Sequence, residues 1–251
     1  MLSNPIEQFN IVSLIPLNLI GFKYNISLTN SSLFMLITCF SVLIIACGAI
    51  SFKKVFPNHW QVFVEYIYDF LFMSLVTEIN GKKGRLFFPL IFTLFLFISI
   101  GNLVGMVPFS FTFTSHIVIT LGLSLSFFIG LIIYGIYLHG FHFISLFIPK
   151  GVPVVLLPLL FVIEFISYVS RGFSLAIRLF ANMMAGHALV KILAGFAYVM
   201  LGLGGIFPLF EFIPILIITA IYVLELGVAV LQAYVFSVLI CIYLNDSLYL
   251  H

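Results

Sequence analysis

Residues 158–199 read PLLFVIEFISYVSRGFSLAIRLFANMMAGHALVKILAGFAYV, an apolar run interrupted by Glu164, Arg171, Arg178, Asn182, His187 and Lys191. As one helix this stretch is about 60 Å long at about 1.5 Å per residue, roughly twice the hydrocarbon thickness of a bilayer. Such a helix must tilt steeply, bend or leave the membrane. A charge at mid-membrane costs on the order of 3 kcal/mol by insertion scales, so a chain keeps several only where they line a polar path or meet a partner.

Helical spacing sorts these residues. With Arg178 at zero and about 100° per residue, Glu164, Ser167, Arg171, Ser174, Asn182 and Ala185 all fall within about 40° of it. His187 and Lys191 fall on the opposite side. Along the axis Glu164 stands about 21 Å to one side of Arg178 and His187 about 13 Å to the other. Structural roles fit the same spacing: Arg178 as a clamp between packed helices, Glu164 and Arg171 as an ion pair near one interface, and His187 as a packing histidine. A reference pKa near 6.5 suits His187 to proton transfer without establishing it.

The whole chain of 251 residues is 63% hydrophobic and 7% charged, with 31 phenylalanines, which excludes a soluble domain and predicts an all-α polytopic membrane protein. A net charge of +2 leaves no footprint for nucleic acid. Cys39, Cys47 and Cys241 lie in apolar segments without metal-ligand spacing and read as buried small hydrophobes. His139 and His142 flank a glycine, but no third ligand is apparent, so no metal and no cofactor is expected. Residues 1–27 hold Glu7 and Lys23 and lack the pattern of a cleaved signal or an Arg-rich transit peptide.

A single membrane domain over 1–251 is predicted. Its parts are a first span at 28–52, an interfacial amphipathic helix at 58–79, a helical hairpin at 86–138, and two long tilted antiparallel helices at 154–199 and 207–245. Gly101 and Gly105 within the hairpin would allow close helix contact. With the amino terminus outside, Lys53, Lys54, Lys82, Lys83, Arg85 and Lys150 all fall on one side, which is then the matrix or cytoplasm.

The last helix has its own stripe. Relative to Glu225, Gln232 lies near −20°, Glu211 near +40°, Tyr222 near +60° and Asp246 near −60°, the last about 31 Å further along the axis. An antiparallel pairing hinged on LGLGG at 201–205 sets Arg178 level with Gln232 and His187 level with Glu225, to within about one turn. The chemistry this suggests is proton transfer without bond making: one polar route from the outer surface to mid-membrane, and a second from there to the inner surface near Glu164 and Asp246. Arg178, effectively never deprotonated, would block hopping between the routes and favour the ionised form of a carboxylate beside it. No acid of the chain's own stands there, so the carboxylate is expected on a partner.

The motifs SLAIRLFANMMAGH and IEFISYVSRGFSL, with NLVGMVP, TSHI and the carboxy-terminal EL…Q segment, resemble subunit a of the F-type ATP synthase, also called ATP synthase subunit 6, and most closely its mitochondrial form. The resemblance implies a proton-translocating stator with two offset half-channels against a rotating ring of c subunits. It places the essential arginine at Arg178 and its neighbouring asparagine at Asn182. His187 with Glu225 would form the outer half-channel, Gln232 the glutamine, and Glu164 with Asp246 the inner half-channel. It further implies the c-subunit ring, peripheral-stalk and other membrane-sector subunits, protons and membrane lipids as partners. The setting would be the mitochondrial inner membrane, or a bacterial plasma membrane. Gly172 stands where relatives often carry proline after the arginine. No phosphate-binding loop or hydrolytic constellation is present, so nucleotide chemistry is expected on other subunits. An ion-coupled secondary transporter would show an inverted repeat and a channel a repeated filter, neither of which is visible. A structural subunit of another membrane complex would have no need of Arg178, Glu225 and Gln232 at matching depths.

Overall fold

The computed structural model describes residues 5–16, 27–51, 58–77, 85–107, 110–140, 142–143, 156–202 and 212–248. Lys53, Lys54, Lys82, Lys83, Lys150, Glu78, Glu211 and the hinge expected at 203–205 lie outside them. Six α-helices make up most of the described chain: α1 (Asn30–Ser51), α2 (His59–Leu71), α3 (Phe88–Gly105), α4 (Ile117–His139), α5 (Leu157–Gly202) and α6 (Phe212–Leu248). A small antiparallel ribbon precedes them, with β1 (Ser13–Ile15) against β2 (Leu28–Thr29), Ser13 opposite Thr29 and Ile15 opposite Leu28.

Five of the helices, all but α2, are long and apolar enough to cross a membrane. α1 and α3 carry no charged side chain on any face, which suits helices set among lipid and apolar protein, whereas α5 and α6 carry charged residues. At 46 residues α5 measures about 70 Å. α2, at 13 residues, is too short to span and continues through a π-helical turn over Phe72–Thr77.

Polar residues at the helix ends satisfy the exposed backbone. Thr29 and Ser32 cap α1 reciprocally: the Thr29 N–H donates to Ser32 Oγ at 3.0 Å and the Ser32 N–H to Thr29 Oγ1 at 3.3 Å, a capping box with serine in the usual place of glutamate. Asn58 caps α2 by accepting the His59 N–H at 2.9 Å. Gly140, at φ +56°, follows the last residue of α4 in the left-handed conformation that ends many helices.

The chain divides into two compact units. The first comprises Met1–Leu43, Phe97–His116 and Leu179–Gln232, the second Ile44–Leu96, Ile117–Arg178 and Ala233–His251. Within the first, Met106, Met183 and Ala229 form a buried cluster. Within the second, Phe128, Phe143 and Tyr168 do so, with Ile132 and Phe161 packed against them. α1 buries little of itself against the chain. Cys39 and Cys47 are accordingly exposed on its surface rather than buried; Cys241 alone is buried.

Gly101 and Gly105 admit side chains of the segment that follows α3, and Gly101 also faces a second helix, since a Cβ there would lie 3.7 Å from Thr38 Cγ2 of α1. A Cβ on Gly101 would stand 2.6 Å from the Phe113 ring, and one on Gly105 would stand 2.6 Å from Thr112 Oγ1. Residues 110–116 thus fold back onto the helix they leave, and Phe111 to Ser115 are all buried. Gly101→Val should therefore force Phe113 out and destabilise the protein by about 1 to 3 kcal/mol. A fall in thermal unfolding midpoint of the solubilised protein checks this, beside Gly122→Val, where an added Cβ meets nothing within 4 Å.

Candidate functional site

The first unit assembles three elements around one imidazole. His187 of α5 places Nε2 2.9 Å from Thr112 Oγ1 in the 110–116 segment and 3.7 Å from Glu225 Oε1 of α6. Glu225 is 4% exposed, and its Oε1 accepts no hydrogen bond among the described residues. At 3.7 Å the pair is within ion-pair contact but beyond hydrogen-bond length. Gly186 makes the approach possible, because a Cβ there would lie 2.5 Å from Glu225 Oε1. The carboxyl occupies the space a side chain would take.

Further hydrogen bonds hold these elements in place. Asn102 Nδ2 donates to the Ala229 carbonyl at 3.2 Å, one turn past Glu225, and Thr114 Oγ1 donates to Asn102 Oδ1 at 2.9 Å. The Tyr222 hydroxyl donates to the Met106 carbonyl at 2.9 Å. Asn182 and Gln232 also belong to this unit and are half-buried. Sequence spacing indicated His187 and Glu225 but missed Thr112 and Gly186. Gly186, next to the histidine, was the one available signal.

The second unit holds an ion pair. Arg171 Nη1 of α5 lies 3.6 Å from Asp246 Oδ2 of α6, with side chains 40% and 25% exposed. Tyr168 and Tyr243 are buried within electrostatic reach of both charges, and the Phe128 ring stands 5.1 Å from the first and 6.4 Å from the second. The spacing of Glu164 and Arg171 had allowed a pair between them; the structure gives Arg171 to Asp246, because two helical turns separate Glu164 from it along one helix while Asp246 faces it from another. Glu164 is half-buried. The helix runs without a break through Gly172, whose carbonyl accepts the Ser124 hydroxyl at 2.6 Å and where a Cβ would lie 3.1 Å from the Phe128 ring.

Arg178 is exposed, as are Phe173, Ser174 and Ile177 beside it, while Leu175, Ala176 and Leu179 are buried. No carboxylate lies within ion-pair distance of Arg178 among the described residues. Ser174 does not add to that surface chemistry, because its hydroxyl donates to the Arg171 carbonyl of its own helix at 2.9 Å. Among the described residues no three His, Cys, Asp or Glu side chains come together as metal ligands.

Two outcomes follow from this geometry. Gly186→Ala should push the Glu225 carboxyl away from His187 and lower the thermal unfolding midpoint of the solubilised protein, whereas Gly202→Ala, with open space at its Cβ, should leave the midpoint unchanged. Asp246→Asn should leave Arg171 uncompensated and lower the thermal stability of the protein, and adding Arg171→Gln should restore most of the loss. A double variant no more stable than the single would show that the pair is not coupled.

The chain matches the ATP synthase A chain family over residues 32–245. It is 53% identical to ATP synthase subunit a of Marchantia polymorpha, over all of both chains. Identity is 50% to that of Chondrus crispus, over all of this chain and 98% of the relative, and 51% to that of Brassica napus, over 99% and 97%. A match over most of the chain, with about half of all residues shared along its full length, shows that the chain belongs to the ATP synthase A chain family.

Proposed function

We propose that the two clusters are the two ends of a proton path interrupted at Arg178, the His187–Glu225 contact serving the outer half-channel and Glu164 with the Arg171–Asp246 pair the inner one. As a member of its family the chain is a membrane-embedded stator that couples proton flow to rotation of the c ring in the mitochondrial inner membrane. It does no nucleotide chemistry itself and works in association with the other subunits of the ATP synthase.

The observation that carries the residue-level reading is the exposure of Arg178, between the exposed Phe173 and Ile177, with no acid of the chain within ion-pair distance among the described residues. A permanent cation bared to hydrocarbon is costly, so its partner comes from outside the chain. The family supplies one in the carboxylates of the c-subunit ring, which load at one half-channel and release at the other. Arg178 favours their ionised form, and because a guanidinium does not give up its proton it keeps the two routes apart. Asn182 and Gln232 line the same passage. In this reading α1 is the first span, α2 lies in the membrane interface, α3 and α4 form the hairpin, and α5 and α6 cross the membrane steeply tilted around the ring. The peripheral stalk and other membrane-sector subunits cover the remaining faces.

Vesicles containing the intact complex test this. Arg178→Ala should abolish ATP synthesis driven by an imposed gradient and let that gradient decay passively, and Arg178→Lys should also lose coupling, since a lysine in an apolar setting can release its proton. Glu225→Gln should reduce synthesis in an assembled complex. Synthesis preserved in Arg178→Ala would overturn the proposal; synthesis lost without leakage would leave the attraction of the ring carboxylate and remove the barrier.

A further inference from the structure

We propose that Thr112 is a positioning residue for His187: its hydroxyl follows the protonation of Nε2 and keeps that nitrogen, rather than Nδ1, as the one that exchanges protons with Glu225. This rests on the reading that His187 and Glu225 carry protons. Thr112 is 4% exposed, and its Oγ1 lies 3.0 Å from the Gly105 carbonyl and 2.9 Å from His187 Nε2. A carbonyl can only accept, so the one hydroxyl hydrogen is spent on Gly105 and the oxygen meets His187 as an acceptor. In this arrangement Nε2 bears a hydrogen directed at Thr112, and Glu225 Oε1 lies 3.7 Å from the same nitrogen.

The step balances within these groups. From the imidazolium, the Nε2–H bond breaks and an O–H bond forms on Glu225, so that cation and carboxylate are neutralised together and His187 keeps its hydrogen at Nδ1. The bare Nε2 then needs a donor. Thr112 supplies it by turning its hydroxyl from the Gly105 carbonyl to Nε2, and turns back when Nε2 takes up the next proton from water. A hydroxyl, able to accept in one state and donate in the other, is the smallest side-chain group that serves both.

The 110–116 segment is built to hold that hydroxyl still. Phe113 fills the space at Gly101, Thr114 bonds Asn102, and the Ser115 hydroxyl donates to the Thr112 carbonyl at 2.6 Å. Among the described residues of this unit few other titratable groups accompany the ring. α6 presents Glu225 and Tyr222, α5 carries Lys191 one turn on, α3 contributes none over 97–105, the segment contributes His116, stacked on Phe111 at 5.2 Å, and α1 contributes Cys39 as far as Leu43.

The experiment compares Thr112→Val, Thr112→Ser and His187→Ala in vesicles holding the intact complex, scoring assembly, gradient-driven ATP synthesis and passive proton conduction. Thr112→Val keeps the shape and should lower synthesis and conduction about five-fold, the factor one net hydrogen bond is worth. Thr112→Ser keeps the hydroxyl and should retain most of both. A packing role predicts the reverse order, so a native-like valine variant, or a serine variant as impaired as valine, overturns the proposal. Should the valine variant not assemble, Thr112→Ala is scored in its place against serine by the same rule. His187→Ala separates the two levels: unchanged conduction there refutes the reading beneath, whereas reduced conduction with a native-like valine variant refutes the role of Thr112 alone.

Discussion

A carboxyl group withdrawn from water inside an apolar helix is the constraint on which the first unit depends. Glu225, 4% exposed, is the one buried charged residue among the described residues and sits in the first half of the 37-residue α6. Burial of a charge without a partner costs several kcal/mol, and lipid offers no substitute for water. The surrounding sequence answers this with contact rather than with added charge. Gly186 lets the carboxyl approach α5, His187 stands 3.7 Å away, and Asn102 fastens α3 to α6 one turn beyond. The contact is not tightened into a hydrogen bond. A carboxyl locked to a permanent cation would hold its charge and could not pass a proton on.

The second unit treats charge in the opposite way. Arg171 and Asp246 are partly exposed and find each other within the chain. What the pair achieves is local neutrality beside two buried tyrosines, leaving Arg178, seven residues along α5, as a cation with no acid of the chain beside it among the described residues. The two arginines share a helix face and differ in partner. One is satisfied inside the chain; the other is presented outward.

Much of this was legible in residue order. Length and hydropathy announce five apolar helices, and the pattern from Glu164 to Lys191 picks out α5 as the helix that carries charge. The pairing of His187 with Glu225 followed from the helical rise alone, since two antiparallel helices fix which residues share a depth. Three things were not legible. Residues 110–116 carry no formal charge apart from a possible one on His116 and lack periodicity, so nothing in them announced a segment that folds back onto Gly101 and Gly105. The partner of Arg171 lies on a different helix, where spacing along α5 has no authority. Cys39 and Cys47 looked like core because apolar sequence reads alike whether it faces protein or lipid.

Hydroxyl groups show how to tell the two kinds of polar residue apart in such a chain. Thr38, Ser41, Thr93, Thr120, Ser126, Ser170, Ser174, Thr219, Ser237 and Ser247 each donate to a carbonyl three or four residues back in their own helix. A helix can carry these anywhere in a membrane, because the bond closes locally and asks nothing of a neighbour. Thr112, Thr114 and Ser124 are different. Each is buried and reaches across the sequence, to His187, Asn102 and the Gly172 carbonyl, so its bond exists only when the tertiary arrangement does. Composition counts the two sets alike, yet only the second fixes where one element stands against another. In an apolar surrounding an unmade bond of that kind has no water to fall back on. The cost of leaving it open is what gives so few side chains authority over the geometry at His187 and Gly172.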